Sequence, residues 1–228
     1  MERRTLLGTL AAGTLGLGLA SHLDGAQASQ PAPTDPLADY KPRTFALEAG
    51  LPGLSKEMLG EHLALYKGYV TRTNALLREV RAAEAGATAP VQELRRRLGF
   101  EFSGMRLHEL YFETLRDKAA APGPAHPLQK AIAAGWGSFD AWWAAFKATC
   151  TMTGIGWGAL VQDPLTGRLM NAWFQDHENA IPVGTVPLLV VDVWEHAYVK
   201  DYGATARAKY VDAIRPLIDW GLVEKRFN

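Results

Sequence analysis

The stretch PLLVVDVWEHAYVKDY, residues 187–202, decides how the chain is read. It opens as an apolar run of the kind that forms a buried strand. It closes on Asp192, with His196 four residues further on, both in apolar and aromatic company. A carboxylate taken out of water costs several kcal/mol, roughly, unless it is paired or bound to a cation. Asp192 at the dry end of a strand therefore needs a partner. The i, i+4 spacing turns Asp192 and His196 the same way if the strand runs straight into a helical turn.

Outward from this stretch, the C-terminal half alternates helix and strand. Residues 128–137 and 138–152 read as helices, the second capped by Ser138. Residues 156–175, GWGALVQD-PLTG-RLMNAWFQ, alternate and turn as a β-hairpin, and 186–194 form a third, buried strand. Helices resume over 204–227. The N-terminal half is helical. Ser55 caps a helix over 56–83 whose one broad face carries Leu59, His62, Leu63, Tyr66, Tyr69 and Val70. Gly86 and Pro90 break it; a short helix over 91–98 follows, then a longer one over 99–119, ended by APGPAHP at 121–127. Long helices joined by a short connection predict an antiparallel hairpin.

Composition narrows the function. The 228 residues carry 24 Lys plus Arg against 24 Asp plus Glu, so no net field draws the chain to nucleic acid or to an anionic membrane. The single cysteine, Cys150, excludes an internal disulfide and thiolate-rich zinc sites, and reads as a small core residue. Residues 1–28 differ in kind: Arg3 and Arg4, a weakly apolar Gly/Ala/Leu run, then Ala26-Gln27-Ala28. They predict an export signal of the twin-arginine type and a periplasmic destination, with no membrane association once it is removed. A Pro-rich linker follows over 29–45, then an N-terminal helical domain over 46–121 and a C-terminal domain over 122–228.

Of six histidines, His22 belongs to the signal and His126 lies in the 121–127 breaker, where it reads as solvated. His62 and His108 sit on apolar faces of the two long helices, and His177 follows the hairpin. One such histidine is commonly a satisfied core residue. Three with a buried aspartate, His62, His108, His196 and Asp192, make a ligand set for iron, manganese or zinc. The competing reading, an Asp192–His196 dyad in acid/base catalysis, lacks a nucleophile, because no G-x-S-x-G is present and the cysteine is mid-helix. Ligand logic favours the metal.

These residues also carry a resemblance. DVWEHAY at 192–198, AIAAGWGSFDAWWAAFKA, GIGWGALV and YVDAIRPLIDWGLVEKRF resemble, in that family's order, segments of the iron/manganese superoxide dismutases, over residues 45–227. The resemblance implies an α+β fold, an N-terminal α-helical hairpin packed on a C-terminal α+β domain with a three-stranded antiparallel sheet. It implies one iron or manganese ion per subunit, with iron favoured, on His62, His108, Asp192 and His196. The implied activity converts superoxide to dioxygen and hydrogen peroxide. A redox cycle rules out zinc as the working metal, and a solvent molecule is implied as a fifth ligand. The implied assembly is a homodimer in which Glu195 reaches His196 of the partner subunit. A relative that holds metal without catalysing is the alternative.

The chain departs from the family pattern near the metal. Where many members have a glutamine four residues before the second ligand, Gly104 stands here. His177 is the expected hydrogen-bond donor to the solvent ligand, with Gln175 as the alternative. Tyr66 replaces the family's gateway histidine, and Val199 replaces its cross-subunit tyrosine. Tyr69 lies seven residues after His62 where the family has eight, so the helix is expected to lack a π-bulge and to place Tyr69 by the substrate channel, with Tyr66 as the other candidate.

Overall fold

The computed structural model describes residues 35, 37–86 and 90–227. The export signal expected over 1–28 and the first part of the linker lie outside the described residues. The rest of that linker is fastened to the first helix. Asn74 accepts from the Tyr40 N–H at 2.9 Å and donates to its carbonyl at 3.0 Å, and Phe45 is buried.

Helix α1 spans Lys56–Glu84 and is capped by Ser55, whose hydroxyl accepts from Met58 N–H at 3.0 Å. Helix α2 spans Val91–Thr114. The contacts Tyr66 to Glu109, Arg72 to Glu101 and Arg95 to Glu84 run in opposite order along the two, so they form an antiparallel hairpin. The expected break between 98 and 99 is absent. Gly99 costs its helix only about 1 kcal/mol, and packing against α1 carries the helix through. The expected end at 119 comes earlier, at Thr114. Leu115 instead pairs with Ile218, the Arg116 N–H donates to Leu217 O at 2.8 Å, and Lys118 is left-handed with φ 53°. A tertiary pairing takes residues that local propensity would have left helical.

Helices α3 (Pro127–Trp136) and α4 (Phe139–Cys150) open the C-terminal half. His126 is not merely solvated: it caps α3, its Nδ1 accepting from Leu128 N–H at 3.1 Å, with Pro127 in the first turn. Strands β1 (Trp157–Gln162), β2 (Leu169–Phe174) and β3 (Val186–Asp192) form an antiparallel sheet in the order β2-β1-β3. Pro187, the second residue of β3, pairs with Val161 beside a bulge at Leu160/Val161, on an edge strand where a missing N–H is tolerated. The register sets Trp157 directly beside Asp192. A 3₁₀ turn over Glu195–Ala197 leads into α5 (Val199–Tyr202), α6 (Arg207–Ile214) and α7 (Trp220–Lys225). Helix α4 packs on β1 and β2, while α2 and α7 pack on β3, so β3 is buried from Leu188 to Asp192 and reads as an unbroken apolar run. Among the described residues, no helix is long and apolar enough to cross a membrane. Cys150 is buried beneath the sheet against Gly158, where a side chain on residue 158 would collide with its sulfur.

Candidate metal centre

Four elements deliver four donors to one point: His62 from the second turn of α1, His108 from α2, Asp192 from the end of β3 and His196 from the 3₁₀ turn. Their ligand atoms all lie within 4.8 Å of one another. Asp192 Oδ2 is 3.0 Å from His62 Nε2, 3.1 Å from His196 Nε2 and 3.6 Å from His108 Nε2. Neighbouring donors around a first-row ion, with bonds of about 2.0–2.2 Å, stand at this kind of separation. The other oxygen of Asp192, Oδ1, accepts from Trp194 N–H at 2.8 Å, which fixes the carboxylate plane.

The hydrogen-bond arithmetic favours a cation. His108 Nδ1–H donates to Gly104 O at 2.6 Å. In the neutral ring that leaves Nε2 as a lone pair, and this buried nitrogen has no hydrogen-bond partner. An unpartnered lone pair aimed at a carboxylate oxygen is repulsive by itself and is satisfied by a metal ion between them.

Burial pushes the pKa of His62 down and that of His108 well down, so both rings stay in the neutral form that ligates. For Asp192, burial opposes ionisation, but the charge of His196 and the hydrogen bonds from His196 and His62 outweigh it and hold the carboxyl far below the usual range. Burial likewise lowers His196, and the adjacent Asp192 carboxylate more than compensates, so its pKa rises.

His177 lies beside this cluster, fully buried, its ring 5.8 Å from that of His108. The turn that points it inward is made by Asp176, whose Oδ1 accepts from Glu178 N–H at 2.7 Å and Asn179 N–H at 2.9 Å. Gln175, the alternative, is exposed. Both nitrogens of His177 are engaged. Trp157 Nε1–H, which can only donate, gives its proton to His177 Nδ1 at 3.1 Å. The neutral ring then carries its proton on Nε2 and donates to Tyr69 Oη at 2.7 Å. Tyr69 Oη is thus the partner of the nitrogen from which the sequence suggested a bond to a solvent ligand.

Helix α1 is uninterrupted, so Tyr69 returns to the side of His62, its ring 5.1 Å from His108 and 4.9 Å from His177. Tyr66 keeps other company. Its hydroxyl donates to Glu109 Oε1 at 2.9 Å and accepts from Arg43 N–H at 2.8 Å, and its ring packs on Phe45 and Phe112. It fastens the N-terminal segment to the hairpin. Three contributors escaped the sequence reading: Trp157, which sets the His177 tautomer; Asp176, which makes the turn; and Trp194, whose ring lies 5.0 Å from His177 and 6.0 Å from His196. Only Asp176, in the turn-forming run DHEN, left a signal that could have been used.

Burial pushes the pKa of His177 down to about 4. The unfolded chain takes up this proton near pH 6.5 and the folded one only near 4, so the stability it confers is present above 6.5 and is lost as pH falls toward 4. The shift corresponds to at most about 3 kcal/mol. His62 and His108 act in the same direction. In the metal-free protein, His177→Gln should flatten the fall of the urea midpoint between pH 6.5 and 4; an unchanged slope would show that His177 is not held neutral.

Comparison with known proteins agrees with this geometry. The family profile described as iron/manganese superoxide dismutases, C-terminal domain, matches residues 124–226. A protein named as an iron superoxide dismutase, from Cupriavidus metallidurans, is 38% identical over 185 residues, which is 78% of this chain and 91% of the relative. A manganese/iron superoxide dismutase from Propionibacterium freudenreichii is 34% identical over 80% of this chain and 91% of its own. A manganese superoxide dismutase from Haloferax volcanii is 32% identical over 84% and 96%.

Proposed function

The chain belongs to the iron/manganese superoxide dismutase family, and we infer that it disproportionates superoxide, 2 O₂•⁻ + 2 H⁺ → O₂ + H₂O₂. The observation that carries this reading is the convergence of His62, His108, Asp192 and His196 on one point in an apolar interior. An iron or manganese ion held by these four residues would supply a one-electron redox couple.

The protein's part is to hold that ion, exclude water and deliver protons. Asp192 contributes the negative charge and the three imidazoles contribute neutral donors, a set suited to a redox-active first-row ion. The aromatic wall of Phe112, Trp157 and Trp194 keeps the surroundings dry. Protons reach the site through Tyr69. Because His177 Nε2–H is donated to Tyr69 Oη, the phenol's own proton is free to point onward toward the substrate. Burial pushes the Tyr69 pKa up to about 12, so it keeps that proton for use at neutral pH. The family tie and the buried donors support turnover over mere metal storage.

The decisive measurement is on the purified chain. Loaded with iron or manganese, it should hold about one ion per subunit and speed superoxide decay; stoichiometric metal with no acceleration would leave only a metal-holding role. The two tyrosines should separate. Tyr69→Phe is expected to retain metal and lose roughly 10-fold or more in turnover, the order of a general-acid contribution. Tyr66→Phe is expected to keep turnover and lose about 1–3 kcal/mol of stability, since Glu109 Oε1 loses its donor, Oε2 keeping Arg106, and the Arg43 N–H loses its acceptor. Reversed effects in a superoxide assay and a urea titration would exchange the roles.

Export by a twin-arginine route to the periplasm is supported by Arg3, Arg4 and Ala26-Gln27-Ala28. A homodimer through Glu195 is supported by its exposure and by the side chain of His196, which is 23% exposed while the other three donors are buried. A second subunit placing its Glu195 there would close that side.

A further inference from the structure

Besides its contacts with His62 and His196, Asp192 accepts two further hydrogen bonds, and only one of them is local. The local one is the Trp194 N–H on Oδ1. The other is at the backbone: Tyr210, in α6, donates its hydroxyl proton to the Asp192 carbonyl at 2.8 Å. A second hydroxyl, that of Tyr111 in α2, lies 2.8 Å from Tyr210 Oη. Tyr210 has one proton and spends it on the carbonyl. The bond between the two phenols must therefore run from Tyr111 to Tyr210, which gives the chain a single direction: Tyr111 to Tyr210 to Asp192. Every atom of it is buried; Tyr111 is 1% exposed, and Tyr210 and Asp192 are at 0%.

The ends of this chain belong to different halves of the protein. Tyr111 stands one helical turn after His108 and its ring lies 5.7 Å from that of His62, so it is seated on the ligands from the helical hairpin. Asp192 is the strand ligand, and it precedes His196 by one turn. Tyr210 comes from a third element, which supplies no donor atom to the metal. Its ring is packed between Tyr198, stacked at 5.7 Å, and Tyr202 at 6.0 Å, which fixes where its hydroxyl points.

We propose that Tyr210, relayed by Tyr111, is a positioning residue that sets the strand-borne ligand Asp192 relative to the two helix-borne histidines, so that metal affinity and ligand field depend on a phenol that never touches the ion. The physical reason is that β3 is an edge strand, with β1 on one side only. The pairing with β1 continues one step past Asp192, where Val193 N–H donates to Gly156 O at 2.9 Å, and the buried carbonyl of Asp192 takes its donor from outside the sheet. Tyr210 provides that donor. Tyr111 polarises it and ties it to α2. The inference rests on the metal reading of the site.

The test uses manganese(II) and a competing chelator on the full chain, with the visible absorption of the oxidised manganese protein as the second readout. Tyr210→Phe should weaken manganese binding roughly 10-fold or more, as loss of an outer hydrogen bond to a ligand does, and should shift the absorption. Tyr111→Phe should do the same to a smaller extent. The double variant should be no weaker than Tyr210→Phe, because without Tyr210 the Tyr111 hydroxyl has no route to Asp192. Tyr202→Phe removes a hydroxyl from the same ring stack, one that donates to Gly53 O, and should change neither readout. Binding by Tyr210→Phe within about twofold of the unaltered chain, with unshifted absorption, would overturn the proposal. So would fully additive losses in the double variant. Should Tyr210→Phe fail to fold, Tyr111→Phe decides alone: a shifted absorption supports the chain of hydroxyls, and an unshifted one overturns it. If the unaltered chain binds neither manganese nor iron, the metal reading itself falls, and this inference falls with it.

Discussion

Asp192→Ala is expected to yield a chain that purifies with less than about a tenth of the normal metal and consumes superoxide no faster than buffer. Outer hydrogen bonds to a metal ligand are worth roughly 10–100-fold in affinity, and Asp192 is a ligand and the sole negative charge in the set. Its loss leaves three neutral imidazoles facing a cation in an apolar interior. The effect on the metal-free fold is also large. His62 Nε2, His196 Nε2 and the Trp194 N–H all lose their acceptor at once. Removing one partner from a buried charged cluster costs about 3–5 kcal/mol. Asp192→Asn separates the two effects: it keeps an oxygen for Trp194 and the shape of the side chain, so it should fold and still bind metal poorly. Metal analysis and superoxide decay on both variants check this. Full metal occupancy in Asp192→Ala would mean that the ion sits elsewhere.

Gly104→Ala should destabilise the protein and cut turnover while metal content stays high, although helix propensity argues the other way. Glycine within a helix costs about 1 kcal/mol relative to alanine, so the substitution gains that amount locally. Against it stands geometry. A Cβ at residue 104 would lie 2.8 Å from Tyr69 Cδ1, 2.9 Å from Tyr69 Cε1 and 3.0 Å from His177 Cδ2. These are ring carbons without slack. Tyr69 is boxed by His108 at 5.1 Å, His177 at 4.9 Å and the guanidinium of Arg72 at 4.7 Å over its other face. Arg72 in turn is held at 2.7 Å by the buried carboxylate of Glu101. Overpacking of this kind costs about 1–3 kcal/mol, so it outweighs the propensity gain. It also parts the 2.7 Å bond between His177 and Tyr69 on which the proposed proton delivery depends. The expected outcome is a lower urea midpoint and a turnover reduced roughly 10-fold, the scale of a general-acid contribution. A more stable and fully active Gly104→Ala would show that the pair can move aside.

Gly104 also marks the limit of sequence reading. Along the chain it looked like a missing glutamine. In the fold it is the space that admits Tyr69 and His177 together, and the carbonyl that fixes the His108 tautomer. Tyr69 is the sequence's first candidate for the substrate channel and Tyr66 the other, three residues apart on one apolar face. They part because Tyr66 meets Glu109 and the Arg43 backbone, whereas Tyr69 meets His177, and none of those partners is near them in sequence.

What the amino-acid order determined by itself was local: helix caps at Ser55 and Ser138, the hairpin of β1 and β2, the apolar run of β3, and an aspartate and histidine spaced to face one way. Those follow from periodicity and from the cost of burying charge, which act over a few residues. Only the tertiary structure decided where α2 ends, which nitrogen of His177 carries the proton and which tyrosine reaches it. Each of these is settled by a hydrogen bond between groups distant along the chain, where packing rather than propensity selects the partner.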